Sequence, residues 1–345
     1  MRILITGAAG LIGGEVSARL AQAGHRVNAF VRSNPDVLAN DGTIAAVDEV
    51  LTGDLSQENM GLDPATLDRL AGEVELVLHC AALTRFDLDE EAYRATNIDG
   101  TARALELARR AGAGFLHVST AYVCGERSGA IGEDDALPKR GFTNGYEASK
   151  AEAEALVRAS GVPFVIARPS IVVGDSKTGA IRQFDTIYAA FKLIAEGRVQ
   201  HMPVKHGATL DFVPVDHVAA GLVALVEQFE AAQGCAYHLV SGGPVSVGDF
   251  ASAIGSFPHF DAPILVDAER FDPAILPPME RRLFRRVAAL YAAYFQRNPR
   301  FDDSNLRALT GLEPPSMDQE MLRKLIQYCI DVGFLKTPEL QRTSG

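Results

Sequence analysis

The sequence predicts an α/β fold: a doubly wound parallel sheet joined to a smaller, mostly helical C-terminal lobe. Three observations carry that expectation. Short apolar runs suited to buried strands alternate with helical patterns as far as Pro169, the spacing of strand–helix–strand units with right-handed crossovers. The first run, Arg2-Ile-Leu-Ile-Thr6, leads straight into the glycine-rich turn Gly7-Ala-Ala-Gly10-Leu-Ile-Gly13 and a helix. Beyond Pro169 the alternation loosens, and prolines punctuate helical segments.

Composition agrees. The chain has 345 residues, 47% hydrophobic and 22% charged, enough for one large domain or two that share a core. A net charge of -11 argues against a nucleic-acid partner. Cys80, Cys124, Cys235 and Cys329 are too scattered for a zinc site or a disulfide framework and read as free thiols in a reducing compartment. No apolar run reaches membrane-spanning length, and the chain opens directly into a strand, so a cytoplasmic location is expected.

The turn after the first strand is a dinucleotide fingerprint in its proper context, which makes the sheet Rossmann-type. Gly7 permits the tight turn, Gly10 lets backbone approach a pyrophosphate at the helix N-terminus, and Gly13 lets the helix pack close. Leu11 and Ile12 lie between them and belong to the same cofactor site. The second strand, Gly24 to Val31, exits into Arg32 and Ser33. An NAD-preferring site usually carries an acid there; an arginine suits a 2′-phosphate, so NADPH is favoured. A solvated surface charge is the alternative for Arg32. The third strand ends in Asp54-Leu55, where the acid can accept from an adenine amine or simply cap a turn. The fourth ends in His79-Cys80-Ala81-Ala82, small residues that allow a cofactor close. His79 has no second ligand at metal spacing and reads as a packing histidine; no metal site is expected. Tyr93 to Ala111 is helical, and Asn97 within it has poor propensity, which hints at a side-chain role.

The fifth strand, Gly114 to Ser119, opens onto Thr120, and a long polar loop leads to a helix from Tyr146 to Ser160. Tyr146 and Lys150 fall one turn apart on one face. A nearby ammonium favours the phenolate, so the tyrosine pKa is expected to fall below its usual ~10. A hydroxyl from Ser119 or Thr120 completes a proton donor for a carbonyl oxygen that gains charge as hydride arrives. Alone, Tyr-x-x-x-Lys is an ordinary exposed helix pair. Its weight comes from convergence: the glycine turn, Asp54, Ala81 and Thr120 all fall at the carboxyl edge of the strands, where such sheets bind ligands.

After the sixth strand, Val162 to Pro169, come a turn-rich loop at 174–179, a helix from about Gln183 to Glu196, a short strand into a helix near Asp216, a strand at Tyr237–Val240 and mostly helical structure from about Gly255. Residues 1–175 are assigned to an NADP-binding domain to which 208–242 return; 176–207 and 243–345 form the substrate lobe. From Pro278 to Gln296, Leu283, Val287, Leu290, Tyr291 and Tyr294 form an apolar stripe headed by Arg281, Arg282, Arg285 and Arg286. Three readings stand: a core helix with a solvated basic face, a contact for the phosphates of an acyl carrier or coenzyme A, or a peripheral membrane contact.

These residues together resemble the extended short-chain dehydrogenase/reductase superfamily, through Thr6-Gly7-x-x-Gly10-x-x-Gly13, Asp54-Leu55, His79-x-Ala-Ala82, Asn97-x-x-Gly-Thr101 and Tyr146-x-x-x-Lys150. Within it the chain is most similar to the male-sterility, or fatty acyl-CoA reductase-like, thioester reductase branch. That likeness rests on Val118-Ser-Thr-Ala-Tyr-Val123, on Arg168-Pro-Ser-Ile-Val-Val-Gly-Asp-Ser-Lys-Thr-Gly179, on Phe212-Val-Pro-Val-Asp216 and, late in the chain, on Phe301-Asp-Asp-Ser-Asn305. The resemblance implies Tyr146 as proton donor, Lys150 on the nicotinamide ribose, Thr120 on the carbonyl oxygen and Asn97 as support from behind. It implies cofactor contacts from Gly7, Gly10, Leu11, Ile12, Gly13, Arg32, Ser33, Asp54, Leu55, Ala81, Ala82, Tyr146, Lys150 and Pro169. It further implies NADPH-dependent reduction of an acyl-CoA or acyl-carrier thioester to an aldehyde and onward to an alcohol, and a homodimer, the common state in the superfamily. The sequence shows no adenylation or carrier domain, which fits a free-standing enzyme on such a thioester and equally a relative that has changed substrate. Two other functions stay open: a ketone, steroid or nucleotide-sugar reductase or epimerase with the same three residues, and a non-catalytic NADP-binding protein.

Overall fold

Strand parity sorts the hydrophobic residues onto two layers. Ile3 and Ile5 face one way and Leu4 the other, and each meets its own helix layer. The computed structural model of the chain describes residues 1–288 and 291–336. Seven parallel strands form its central sheet: β1 (Arg2–Thr6), β2 (Arg26–Val31), β3 (Glu49–Thr52), β4 (Leu76–His79), β5 (Gly114–Val118), β6 (Phe164–Pro169) and β7 (Ala236–Leu239). Their order is β7-β6-β5-β4-β1-β2-β3. Ile3, Ile5, Leu76 and Leu78 pack on the helices α1 (Leu11–Gln22) and, later in the chain, Val215–Glu227. Leu4, Val77 and Phe115 pack on α2 (Pro64–Glu73), α3 (Asp99–Ala111) and α4 (Gly145–Ala159). Register levels the ends of the central strands: Thr6 lies beside His79, and His79 beside His117. The turns that leave β1, β4 and β5 therefore open side by side.

The C-terminal segments build a further core, which Leu11 and Tyr122 join. Helices α5 (Thr186–Ala195), α7 (Val247–Gly255) and α9 (Gln319–Asp331) bury Tyr188, Phe191, Phe250, Leu322 and Leu325 together with Tyr291, Tyr294 and Phe295. Between them in chain order lie α6 (Val215–Glu227) and α8 (Ser304–Thr310).

The lobe carries more strand than the sequence predicts. Ile264–Asp267 pairs with His201–Val204, and Pro299–Phe301 pairs with Gly129–Ile131 in the long polar loop. Three- and four-residue strands show no usable periodicity, and their partners are distant in sequence. The helix predicted from Tyr93 to Ala111 is interrupted by a π-turn at Arg94–Ile98. The predicted stripe from Pro278 to Gln296 is broken into a helix at Pro278–Leu283, a π-turn at Phe284–Ala288 and a 3₁₀ turn at Ala292–Gln296. Phe284 packs on Val199 and Leu276, and Tyr291 and Tyr294 join the lobe core. Arg282, Arg285 and Arg286 are exposed. The Val287 side chain and Leu290 lie outside the described residues. Among the described residues, no helix is long and apolar enough to cross a membrane.

Candidate active site

The glycine turn is sterically obligatory. Gly7 has φ +70°, and a Cβ there would sit 2.8 Å from the backbone of Ala81; a Cβ on Gly13 would sit 2.2 Å from the Gly7 carbonyl oxygen. The Gly10 amide donates to that carbonyl at 2.9 Å. Gly10 is also the N-cap of α1 and offers no capping side chain, which leaves the first-turn N–H groups for an anion. Gly14, not singled out from the sequence, is as constrained: a Cβ would lie 2.1 Å from the Leu38 carbonyl oxygen. The Gly13-Gly14 pair was its visible signal.

One cleft of about 280 Å³ runs along the carboxyl edge of the sheet. It brings together Gly7, Gly10, Leu11, Ile12, Gly13, Ala82, Thr120, Tyr146, Lys150 and Pro169. Its far half is walled by Phe86, Tyr122, Ile187, Tyr188, Tyr291 and Tyr294. A dinucleotide fits the chemistry of this cleft: a glycine cradle without side chains at one end, buried hydroxyls and an amine at the other.

Helix α4 delivers Tyr146 in its first turn. Asn144 caps it by accepting from the Glu147 amide at 2.9 Å, and the Glu147 carboxylate accepts from the Thr143 amide at 3.1 Å, a reciprocal arrangement close to a capping box. Thr120 caps the short turn after β5, its hydroxyl accepting from the Tyr122 amide at 3.3 Å. The Thr120 hydroxyl faces the Tyr146 phenol and partly favours its ionised form. Ser119 lines the same cleft, but its hydroxyl is buried without a protein partner.

One expectation fails here. Lys150 does not lower the Tyr146 pKa: burial pushes the phenol up, the neighbouring Glu147 carboxylate pushes the same way, and Thr120 only partly opposes them. The Lys150 ammonium is turned aside, donating to the Val118 carbonyl at 2.7 Å. Burial in turn pushes Lys150 down to about 8, against the attraction of Glu154.

The other predicted residues stand outside the cleft. Arg32 and Ser33 are exposed beyond β2. Asp54 serves its turn, accepting from the Ser56 amide at 2.8 Å and hydroxyl at 2.7 Å. Those bonds hold its carboxyl below the usual range, with smaller help from Arg32 and Arg103. Leu55 is buried beneath Gly100. Ala81 abuts Gly7, and its amide donates to the Thr6 hydroxyl at 3.3 Å. Asn97, on the π-turn, is 1% exposed. Its amide oxygen accepts from the Leu83 amide at 2.7 Å, and its nitrogen donates to Ser149 at 2.8 Å. It braces the loop after β4 against α4, behind the cleft. His79 bonds Thr6 at 2.8 Å and Thr101 at 3.0 Å, as a packing histidine does.

Sequence reasoning missed two features. The aromatic wall draws on Phe86, Tyr122 and Tyr188, from segments with no shared pattern. Arg182 reaches back over the glycine turn and donates to the Gly10 carbonyl at 3.0 Å, while its own amide donates to Asn40 at 3.0 Å. Nothing in its local sequence marks it.

The model of the male sterility protein family matches residues 5–222. The chain belongs to this family. It is an extended short-chain dehydrogenase/reductase of the thioester reductase branch, an oxidoreductase that uses a nicotinamide dinucleotide. It is 24% identical to aldehyde reductase lnaA of Aspergillus flavus over 310 residues, 81% of this chain and 30% of that protein. It is 33% identical to a linear gramicidin synthase of Brevibacillus parabrevis over 310 residues, 84% of this chain and 6% of that protein. The chain thus spans less than a third of the length of these curated relatives. Among solved structures, the terminal R domain of the myxalamid PKS-NRPS pathway superposes with TM-score 0.83 at 26% identity, covering 98% of this chain and 92% of that one. UDP-glucuronic acid 4-epimerase from Bacillus cereus, in complex with NAD, superposes with TM-score 0.69 at 21% identity over 96% of this chain and 99% of that one, a likeness of fold.

Proposed function

We propose that this reductase uses NADPH to reduce an acyl thioester to an aldehyde. The observation that carries the reading is the single cleft joining the glycine cradle, the Thr120–Tyr146 pair and an aromatic, apolar far half. The similarity to the myxalamid R domain and to a linear gramicidin synthase supports it.

Bound NADPH supplies the hydride. Thr120 and Tyr146 hold the thioester oxygen by hydrogen bonds, and Tyr146 passes its proton to that oxygen as charge develops. The raised proton affinity of the phenol keeps it in the donor form at neutral pH. Collapse of the hemithioacetal returns the hydroxyl proton and expels the thiol, leaving an aldehyde; a second hydride would give the alcohol. Lys150 holds the nicotinamide ribose, and Asn97 keeps α4 in place. Arg182, already over the glycine turn, meets the pyrophosphate. Arg32 and Ser33 take the 2′-phosphate, with Asp54 and Leu55 beside the adenine and Ala81 and Ala82 on the cofactor's flank. Residues 1–175 with 208–242 make the cofactor domain, and 176–207 with 243–345 the substrate lobe. Arg286 lines a second chamber that shares Phe86 and Tyr291 with the cleft; the thioester arm enters there.

The test is NADPH consumption with a series of acyl-CoA thioesters and the matching aldehydes, with free thiol measured in parallel. Thiol release in step with NADPH use is expected. NADPH use with aldehydes alone would replace the thioester by a simple carbonyl substrate. Tight NADPH binding with no turnover of any carbonyl compound would return the reading to a binding protein.

A further inference from the structure

We infer that Arg297, from the C-terminal lobe, is the positioning residue that holds the Thr120 turn and the Tyr146 helix end at their working distance. Arg297 is 5% exposed and Glu147 fully buried. The guanidinium donates to Glu147 Oε1 at 2.6 Å and, through its other arm, to the Gly125 carbonyl. It packs against a pair of touching rings, with its central carbon 4.7 Å from the Tyr122 centroid and 4.5 Å from that of Tyr294, the two centroids themselves 4.9 Å apart. The Tyr294 hydroxyl donates to the same Glu147 oxygen at 2.9 Å.

Each contact lands on a catalytic segment. Glu147 follows Tyr146 in the first turn of α4. Tyr122 and Gly125 belong to the turn that Thr120 caps. Phe86 stacks on Tyr294 at 5.7 Å and on Tyr146 at 6.0 Å, closing the ring of contacts on the cleft side. The segment that returns to the cofactor domain fixes Arg297 in turn, since the Arg297 carbonyl accepts from the Thr209 amide at 3.1 Å.

Stability does not account for this pair. A buried ion pair roughly breaks even against well-packed apolar residues of the same volume, because both charges are desolvated. What an apolar pair lacks is direction: a guanidinium fork bonded to two segments and packed on two adjoining rings fixes an angle as well as a distance. A glutamate beside a proton-donating tyrosine, matched by an arginine from another lobe, is a device for alignment. The inference rests on Tyr146 as the proton donor.

The decisive variant is Glu147→Gln/Arg297→Met, which removes both charges at similar volume and strands neither. Arg297→Lys and Tyr294→Phe accompany it. The double variant should melt close to the parent and bind NADPH within about twofold of it, with KM for the carbonyl substrate equally little changed. Its kcat should fall roughly 10- to 100-fold, the cost of misplacing reacting groups by ~1 Å. Arg297→Lys should recover part of that loss. A kcat within about twofold of the parent, or parallel losses of kcat, NADPH affinity and melting temperature, would overturn the assignment. Whichever carbonyl the parent reduces serves, so an enzyme active on aldehydes alone sinks the thioester and leaves this test intact. Crystal structures of parent and double variant supply a readout free of any substrate. The Thr120 and Tyr146 hydroxyls should separate by on the order of 1 Å, and unmoved hydroxyls would end the proposal.

Discussion

At the Thr120–Tyr146 end of the cleft, Thr120, Glu147 and Lys150 are buried and each is held by named partners; outside the cleft, beyond the second strand, Arg32 and Ser33 stand in solvent. The difference is one of dielectric. Charges and dipoles act strongly where water is excluded and weakly where it screens them. Chemistry therefore belongs to the enclosed end. The open end can bias which coenzyme binds but contributes little to the barrier.

The largest effect should come from the group at the enclosed end that is proposed to give up the proton. Tyr146→Phe removes one oxygen and leaves the ring that stacks on Phe86. A positioned acid is worth roughly 10²–10⁴-fold, so kcat should fall by that factor while the Kd for NADPH holds. Steady-state rates and a fluorescence titration check both halves. A variant keeping most of its turnover would move the chemistry away from Tyr146 and dissolve the contrast between the two ends.

Lys150 sharpens the comparison through pH. Burial pushes its ammonium down to about 8, so the charge is present below that pH and lost as pH rises through it. If the charge positions the cofactor, kcat/KM should decline above about pH 8. A guanidinium does not titrate in this range, so Lys150→Arg should carry its activity, whatever its absolute size, unchanged to higher pH. The same alkaline limb in both proteins would assign the titration to another group.

Legibility follows the same division. The glycine turn was readable because steric demands write themselves as glycine at fixed spacing, and the Gly7 and Gly13 contacts bear that out. The seven-stranded sheet was readable because buried parallel strands are plain apolar runs. Two motifs that mark the family also have structural roles: Arg168 forms a buried ion pair with Glu154 at 2.7 Å, and Asp216 accepts from Ser176 at 2.6 Å, pinning the loop after β6. The direction of the Tyr146 shift was misread, since helical spacing sets where Lys150 begins but not that its amine turns to Val118. Arg182 and Arg297 were invisible, because their partners lie 172 and 150 residues away in sequence and no local pattern encodes them.

Arg182, bonded to the Gly10 carbonyl, tests the glycine turn. Hydrogen bonds to charged groups are worth about 1.5–3 kcal/mol, so losing its bond to a pyrophosphate should weaken coenzyme binding roughly 10- to 100-fold. The pyrophosphate is common to both coenzymes, so Arg182→Ala should raise the Kd for NADPH and NADH alike. Calorimetry with each distinguishes this from a 2′-phosphate contact, which would spare NADH.

Arg32→Ala should show the smallest effect and the sharpest selectivity. Its guanidinium is exposed, and a screened surface pair contributes at most about 1 kcal/mol. The several hydrogen bonds that an arginine fork makes to a phosphate raise this modestly. The Kd for NADPH should rise by roughly tenfold, with NADH unaffected and kcat unchanged at saturating coenzyme. Because the attraction is screened, the difference between parent and variant should shrink as salt is raised. Equal weakening of both coenzymes would remove the 2′-phosphate from Arg32 and leave the proposed preference for NADPH without a residue. A fall in kcat at saturation would be worse for the comparison itself, since it would make the open end part of the chemistry.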